Sequence, residues 1–437
     1  MMKVLRTSVL VALSLAVILA FAGCAKKEPQ KLTMWVPGRD SYIGPDEQKK
    51  SQDQWYISQA FRRFEKANPG VSVELVVQSD AAASHQLFKA AAVAGKAPDV
   101  ANLWSGQASF GIKDAIRPID DVVPKADLDN IVGWETMRDG FKADGKLYGY
   151  PGFTVTLCFF FYNKTLVKKA GLDFEANPPR TLQEFDAALE KIKGTGVVPI
   201  VTDESFPWLN CYMAVYWWYQ MSGPERILKD CSGEAKFAED QGLLKMLDYY
   251  HSLYTHGYVN KDAGTSTDYW AKFLQGKAAI TPNVTLVMND ALTALGKDNV
   301  GILAPPDMDP NAPFATGKVV GGTGGANVVS INAKSPQLAI KLISFLTSKP
   351  ETLELLKSQS FVPVRKDITA ADMGFEKGSV QEKMYSFKDK YVYFVDNILV
   401  PGVVDEYYKM CPLVLVGKMT PKDFALDLDK TAAEVKK

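Results

Sequence analysis

The chain has few of the residues that build metal sites or bind nucleic acid. It holds three histidines and five cysteines in 437 residues, and its 50 basic and 50 acidic residues leave no net charge. His251 and His256 are five residues apart, which puts them on different faces of a helix, so they do not form a zinc pair. The charge balance gives no electrostatic reason to expect nucleic acid as a partner.

The cysteines are too scattered for a small disulfide-rich scaffold. Cys158, Cys211, Cys231 and Cys411 are spread through a large chain instead of forming a closely spaced framework. A Cys211–Cys231 bridge is one interpretation, and buried free thiols are the other.

A long apolar run occurs only at the N terminus. Lys3 and Arg6 precede residues 9–22, in which Ser14 is the only hydroxyl. The run is too short to span a bilayer comfortably, and it is placed and flanked like a secretory signal. The sequence therefore predicts a protein that works outside the cytoplasm, without a later membrane span.

The end of this run resembles a bacterial lipobox. Ala22 and Gly23 precede Cys24, although Phe21 stands where leucine is usual. The resemblance implies that residues 1–23 are a lipoprotein signal peptide, that Cys24 carries lipid such as palmitate, and that residues 24–30 are a lipidated tether. An ordinary signal peptide followed by a chance cysteine is the alternative.

The remaining chain is long enough for two α/β lobes. The full sequence is 47% apolar and 23% charged, which is typical of a globular protein. Residues 31–36, 71–77 and 100–104 read as strands, separated by helical patterns over 57–64 and 85–94. This alternation predicts βαβ units and a parallel sheet.

Two further features concern the second half of the fold. The uncharged, aromatic run 156–162 predicts a buried central strand. Pro305 and Pro306 restrict the backbone, and they favour a crossover between the lobes.

A series of short motifs resembles the extracellular solute-binding proteins of ABC importers, in particular their sugar-binding family. Each motif alone is weak, and their shared order carries the resemblance. In chain order they are FEKANPGV at 64–71, GKAPDV at 95–100, DGKLYGYP at 144–151 with YNK at 162–164, PPRT at 178–181, GKAAI at 276–280 and FVPVRKD at 361–367.

The resemblance implies a periplasmic-binding-protein fold with a ligand cleft between two lobes, each a mostly parallel sheet flanked by helices. We expect an N-terminal lobe of residues 31–153 and 305–347, and a C-terminal lobe of residues 154–304 and 348–437. The implied function is capture of a carbohydrate by hinged closure and its delivery to membrane permease subunits. A lipid-anchored monomer without a cofactor is expected, on the outer face of the cell membrane or in the periplasm.

Ligands of open α/β sheets bind beyond the carboxyl ends of the strands, and sugars need flat rings and placed polar groups. Residues in strand-end loops or in family motifs are therefore the expected contacts. Glu204, Phe206 and Trp208 come from the resemblance to a sugar-contacting segment, and the glycine-rich segment 321–325 suggests close backbone approach. The full set is Trp35, Asp40, Trp104, Ser105, Phe153, Glu204, Phe206, Trp208, Trp270, Asn283, Gly322, Thr323 and Arg365.

Two other functions remain open at this point. A secreted glycosidase would need two carboxylates that converge in space, which a sequence cannot exclude. The same binding fold could instead take a polyol, glycerol phosphate or another small polar solute. No catalytic constellation is identifiable, so we expect a binding protein and not an enzyme.

Overall fold

The computed structural model describes residues 30–38, 41–44, 47–79, 81–203, 207–314, 317–359 and 361–435, without the side chains of 81–82 and 207–213. The strands are β1 Gln30–Pro37, β2 Val71–Gln78, β3 Val100–Trp104, β4 Tyr150–Pro151, β5 Thr154–Asn163, β6 Val198–Ile200, β7 Ala278–Val284, β8 Val300–Leu303, β9 Val319–Gly322, β10 Gly325–Val329, β11 Val362–Pro363 and β12 Tyr391–Tyr393.

Helices surround these strands. They are α1 Tyr56–Ala67, α2 Ala81–Val93, α3 Gln107–Phe110, α4 Lys125–Asn130, α5 Lys164–Lys169, α6 Leu182–Gly194, α7 Pro207–Ser232, α8 Gln241–Thr255, α9 Tyr269–Leu274, α10 Met288–Leu295, α11 Pro336–Leu346, α12 Lys349–Leu355, α13 Val380–Tyr385, α14 Val395–Ile398, α15 Val403–Leu415 and α16 Pro421–Val435. Short 3₁₀ turns link several of them.

The strands form two sheets, which confirms the predicted two-lobe α/β architecture. The first sheet has the order β2-β1-β3-β10-β4, and β1 pairs in parallel with both β2 and β3. In the second sheet β5 is central and antiparallel to β7, β8, β9 and β11. The carboxyl ends of β1, β2 and β3 therefore share one edge of the first lobe.

The predicted central strand is buried on both faces. Phe159 and Phe161 of β5 lie in the core that continues into the first lobe, whereas Phe160 and Tyr162 point into the core under α6, α7 and α15. An uncharged aromatic run suits this position because no face of the strand meets water.

The chain crosses between the lobes at 152–153 and at 323–324, between β9 and β10, and it returns to the second lobe between α12 and β12. The predicted crossover at Pro305 and Pro306 is therefore wrong. Those prolines stay with the second lobe, where the Trp217 indole N–H donates to the Pro306 carbonyl at 2.8 Å.

The predicted lobe boundaries need two corresponding corrections. Segment 305–347 was assigned to the first lobe, but β9 within it pairs with β5 and β12 in the second sheet. Conversely, α12 lies in a segment assigned to the second lobe. It packs on α1 of the first lobe, where Arg63 makes a 2.6 Å ion pair with Glu351.

Cys158, Cys231 and Cys411 are buried free thiols. The side chain of Cys211, the other half of the suggested bridge, is outside the described residues.

Candidate ligand-binding site

Trp104 is the last residue of β3, and its indole is 44% exposed although Val100, Ala101 and Leu103 before it are buried. Its backbone N–H donates to Nε2 of His85 at 3.1 Å. The two rings lie 5.6 Å apart at 48°. An open indole at the carboxyl end of a strand is a suitable surface for the apolar face of a ligand.

Ser105 and Thr323, both predicted ligand contacts, hold the crossover together. Both are 0% exposed. The Ser105 hydroxyl donates to the Thr323 carbonyl at 2.6 Å, and the Thr323 hydroxyl lies 3.2 Å from that of Thr136. Their hydrogen-bonding groups make contacts within the protein, and direct ligand contact by these two residues stays a prediction.

In the second lobe, the side chains of two tyrosines of β12 form one wall of the candidate ligand site, which we call the tyrosine wall. Tyr391 and Tyr393 are two residues apart, so their side chains share a face of the strand. Gly322 lies beneath them, because a Cβ added there would be 3.4 Å from the Tyr391 ring and 3.7 Å from the Tyr393 ring. Gly322 thus serves the packing of these rings, and its φ of 136° also favours glycine.

Aromatic contacts connect this wall to the first lobe. The Tyr393 ring stacks on Phe141 with centroids 6.0 Å apart, and Phe141 packs edge-on against Phe110 of α3. Burial and the nearby Glu135 carboxylate raise the pKa of Tyr391 and Tyr393 well above that of a free phenol. Both hydroxyls therefore stay protonated at neutral pH, and they can donate as well as accept hydrogen bonds.

Asn397 of α14 joins the lobes next to this wall. Its side chain, 2% exposed, donates to the Ser105 hydroxyl at 3.0 Å. A Cβ added at Gly106 would be 2.3 Å from the Asn397 carbonyl oxygen, so the two backbones are in close contact. The Asn397 side-chain oxygen is buried and has no hydrogen-bond partner among the described residues.

Three predicted aromatic contacts pack mainly against the core. Trp35 lies edge-on to Phe88 with ring centroids 6.5 Å apart, and Trp270 contacts Phe161 and Phe273. Phe153 is buried between Tyr42 and Phe361, whose centroids are 4.8 and 4.9 Å away. Ligand contact by Phe153 stays a prediction. The half-buried Trp35 and Trp270 make no described ring contact with Trp104.

Asn283 and Arg365 are also occupied within the protein. Asn283 is buried, and its amide donates to the Tyr269 hydroxyl at 3.1 Å. Arg365 binds both oxygens of Asp367 at 2.7 Å and donates to the Thr347 carbonyl. Both side chains make these contacts within the protein, and their contact with a ligand stays a prediction.

The remaining predicted residues lie outside the described part of the site. Asp40, Glu204 and Phe206 are not among the described residues, and neither is the lipidation residue Cys24. Trp208 falls in the first turn of α7, whose opening side chains are not described.

The sequence reasoning missed Phe141, Tyr391, Tyr393 and Asn397. The alternation of tyrosine in Tyr391-Val392-Tyr393 is a strand signal, but the sequence does not reveal its pairing with β9.

A groove of about 530 Å³ lies elsewhere, between α1 and the edge strand β2. It is lined by Phe61, Arg62, Glu65 and Leu75 among others. It is an open surface feature of one lobe and involves no strand-end residue, so we do not assign the ligand to it.

A family model for bacterial extracellular solute-binding proteins matches residues 59–380. The chain belongs to this family. Its members are the solute-capturing components of ABC importers, and the resemblance inferred from the motifs is confirmed.

Individual relatives agree with this membership. A 140-residue segment is 33% identical to the sn-glycerol-3-phosphate-binding periplasmic protein UgpB of Yersinia pestis bv. Antiqua, a match that spans only 31% of either chain. A chitin oligosaccharide binding protein has a TM-score of 0.75 at 21% identity, covering 93% of this chain and 99% of its own. The sugar-binding protein MalE of Xanthomonas citri gives 0.72 at 19% identity, with coverages of 93% and 98%. At these identities the structural similarity establishes the fold.

Within the described residues, no helix has the length and apolar character required to cross a membrane.

Proposed function

We propose that this solute-binding protein captures an uncharged carbohydrate between Trp104 of the first lobe and the tyrosines of β12. The supporting observation is the open Trp104 indole at the carboxyl end of β3. Its register partner Gly325 lies three residues after Gly322, which packs against the rings of Tyr391 and Tyr393. An indole covers the C–H face of a sugar ring, while phenols and the Glu135 carboxylate suit its hydroxyls. The resemblance adds Glu204, Phe206 and Trp208 as proposed contacts.

A glycerol phosphate ligand is the second candidate, because of the partial similarity to UgpB. A phosphate needs cationic partners or clustered backbone N–H groups. In the sequence, Asp40 follows β1 beside Arg39 and Asp80 follows β2, and the Glu135 carboxylate acts on Tyr391 and Tyr393. This balance favours a neutral ligand over a dianion.

Capture would proceed by closure of the lobes about the segments that connect them. A ligand that contacts both lobes binds the closed form better, so it shifts the population toward closure. The closed protein would then present its ligand to the permease subunits of an ABC importer. We propose that it acts without transforming its ligand, as a monomer anchored by lipid on Cys24 at the extracytoplasmic face of the membrane.

The ligand proposal can be tested by calorimetry with chitin oligosaccharides, maltose and sn-glycerol 3-phosphate, with analysis of the solutions for released sugar. We expect a sugar to bind without being cleaved. Trp104→Ala should weaken that binding by about 2–4 kcal/mol, as for a central aromatic contact. Trp55→Ala, which removes a half-buried indole with no described ring contact to Trp104, Tyr391 or Tyr393, is the matched control. Binding of glycerol phosphate alone, or unchanged affinity in Trp104→Ala, would contradict the proposal.

The anchor has its own test. Cys24→Ser should release the protein from the membrane fraction, and retention of the variant there would contradict lipidation at Cys24.

A further inference from the structure

His85 lies at the boundary between α2 and the end of β3, and it is 6% exposed. Its Nε2 atom is 3.1 Å from the backbone nitrogen of Trp104 and 3.3 Å from the Trp104 carbonyl oxygen. That carbonyl already accepts a hydrogen bond from the Ser109 hydroxyl. The arrangement is satisfied when Nε2 is unprotonated and accepts the Trp104 N–H, with the imidazole proton on Nδ1.

This contact replaces a missing sheet partner. β1 pairs with β3 only at Met34–Val100 and Trp35–Ala101, so the last residues of β3 extend beyond β1 on that side. A backbone N–H left without a partner at a partly buried strand end costs free energy. The His85 imidazole supplies the missing acceptor for the backbone N–H of Trp104, the residue whose indole is exposed.

We propose that His85 is a positioning residue for Trp104. By accepting the Trp104 N–H and packing beside the indole, it fixes the direction in which the ring faces the ligand. The role of the positioned ring in binding rests on the proposed function above. The positioning itself is a property of the ligand-free protein, so it can be tested separately.

The first experiment measures acrylamide quenching of tryptophan fluorescence in the ligand-free, full-length protein. His85→Gln keeps an acceptor near the Nε2 position, whereas His85→Leu keeps apolar bulk without one. Each variant is also made in a Trp104→Phe background, so that the difference isolates the Trp104 signal. We expect this signal to change in His85→Leu and to stay near wild type in His85→Gln.

Circular dichroism and thermal unfolding report whether the variants fold. If His85→Leu does not fold, His85→Asn replaces it, because its shorter side chain cannot reach the Trp104 N–H. Equal Trp104 signals in the wild type, the Gln variant and the variant without an acceptor would overturn the proposal.

The second experiment measures affinity for a chitin oligosaccharide or for maltose, whichever binds the wild type. Loss of one hydrogen bond that orients the ring should weaken binding about 2- to 10-fold in His85→Leu, with recovery in His85→Gln. If the two variants lose affinity equally, His85 does not act through this bond. If Trp104→Ala leaves binding unchanged, the proposed ligand site is refuted. The quenching experiment still tests whether His85 positions the Trp104 ring.

Discussion

Gly106 offers the sharpest test of the contact between the lobes. Its φ of 67° and ψ of −139° fall in a region that is accessible almost only to glycine. In addition, an added Cβ would lie 2.3, 2.8 and 3.0 Å from the backbone O, Cα and C atoms of Asn397. Because these are backbone atoms, α14 must move away from α3 to accommodate alanine.

A matched control separates the two effects in Gly106→Ala. Gly95 has nearly the same φ, 68°, but a Cβ there would have no neighbour within 4 Å. Gly95→Ala should therefore cost about 1 kcal/mol of unfolding free energy from the backbone conformation alone. Gly106→Ala should cost about 2–4 kcal/mol, since backbone strain and the displacement of Asn397 add to each other.

Denaturant unfolding gives these free energies, and small-angle X-ray scattering reports the separation of the lobes. We expect a larger radius of gyration for Gly106→Ala than for Gly95→Ala in the absence of ligand. If the two variants are equally stable and equally compact, then the Gly106–Asn397 contact does not hold the lobes together, and our description of the junction is refuted.

Three further predictions concern buried polar groups. Burial raises the pKa of Asp230, 0% exposed, to about 7, so the folded protein binds a proton there that the unfolded chain releases near pH 4. The contribution of this group to the free energy of unfolding should therefore fall as pH rises from about 4 to 7. In denaturant unfolding, the stability of Asp230→Asn relative to wild type should rise by about 3 kcal/mol between pH 5 and pH 8. A difference that stays constant with pH would contradict this. Arg365→Lys loses the two-point contact with Asp367 and should cost about 1–2 kcal/mol of stability without weakening ligand binding, as calorimetry would show. The Trp270 indole N–H is buried without a partner among the described residues, so Trp270→Phe should change the unfolding free energy by less than about 1 kcal/mol, and a larger loss would indicate that this N–H is bonded.

Local patterns predicted the elements of the fold well. The strand read from residues 100–104 is β3 as observed, and Thr181 and Glu184, three residues apart in the sequence, form a capping box at the start of α6. These features depend on side-chain period and on hydrogen bonds between near neighbours, which a sequence displays directly.

Pairing between distant segments was the part that the sequence did not reveal. Two consecutive prolines suggested a crossover, but the chain crosses at Thr323 and Gly324, where backbone pairing changes sheets. Likewise, the sequence did not reveal the hydrogen bond that joins Ser105 to Thr323. Their mutual burial depends on contacts across more than two hundred residues, and no local pattern encodes it.

Sequence also placed Trp104 at a strand end, and the structure shows its indole open to solvent there. It gave no indication of Tyr391 and Tyr393, because these tyrosines reach the site only through the parallel pairing of β12 with β9.

The position of β12 near the end of the chain has a consequence for biogenesis. A polypeptide exported only as far as residue 390 would hold Trp104 and the strands of both sheets that precede β12, yet it would lack the tyrosine wall and the Asn397 link. The ligand site would thus be complete only after the segment that follows residue 390 has been exported and has folded. Truncation before β12 would also remove α15 and α16, whose side chains fill the core beside α7 and α8, so it would destabilise the second lobe as well as remove the two tyrosines.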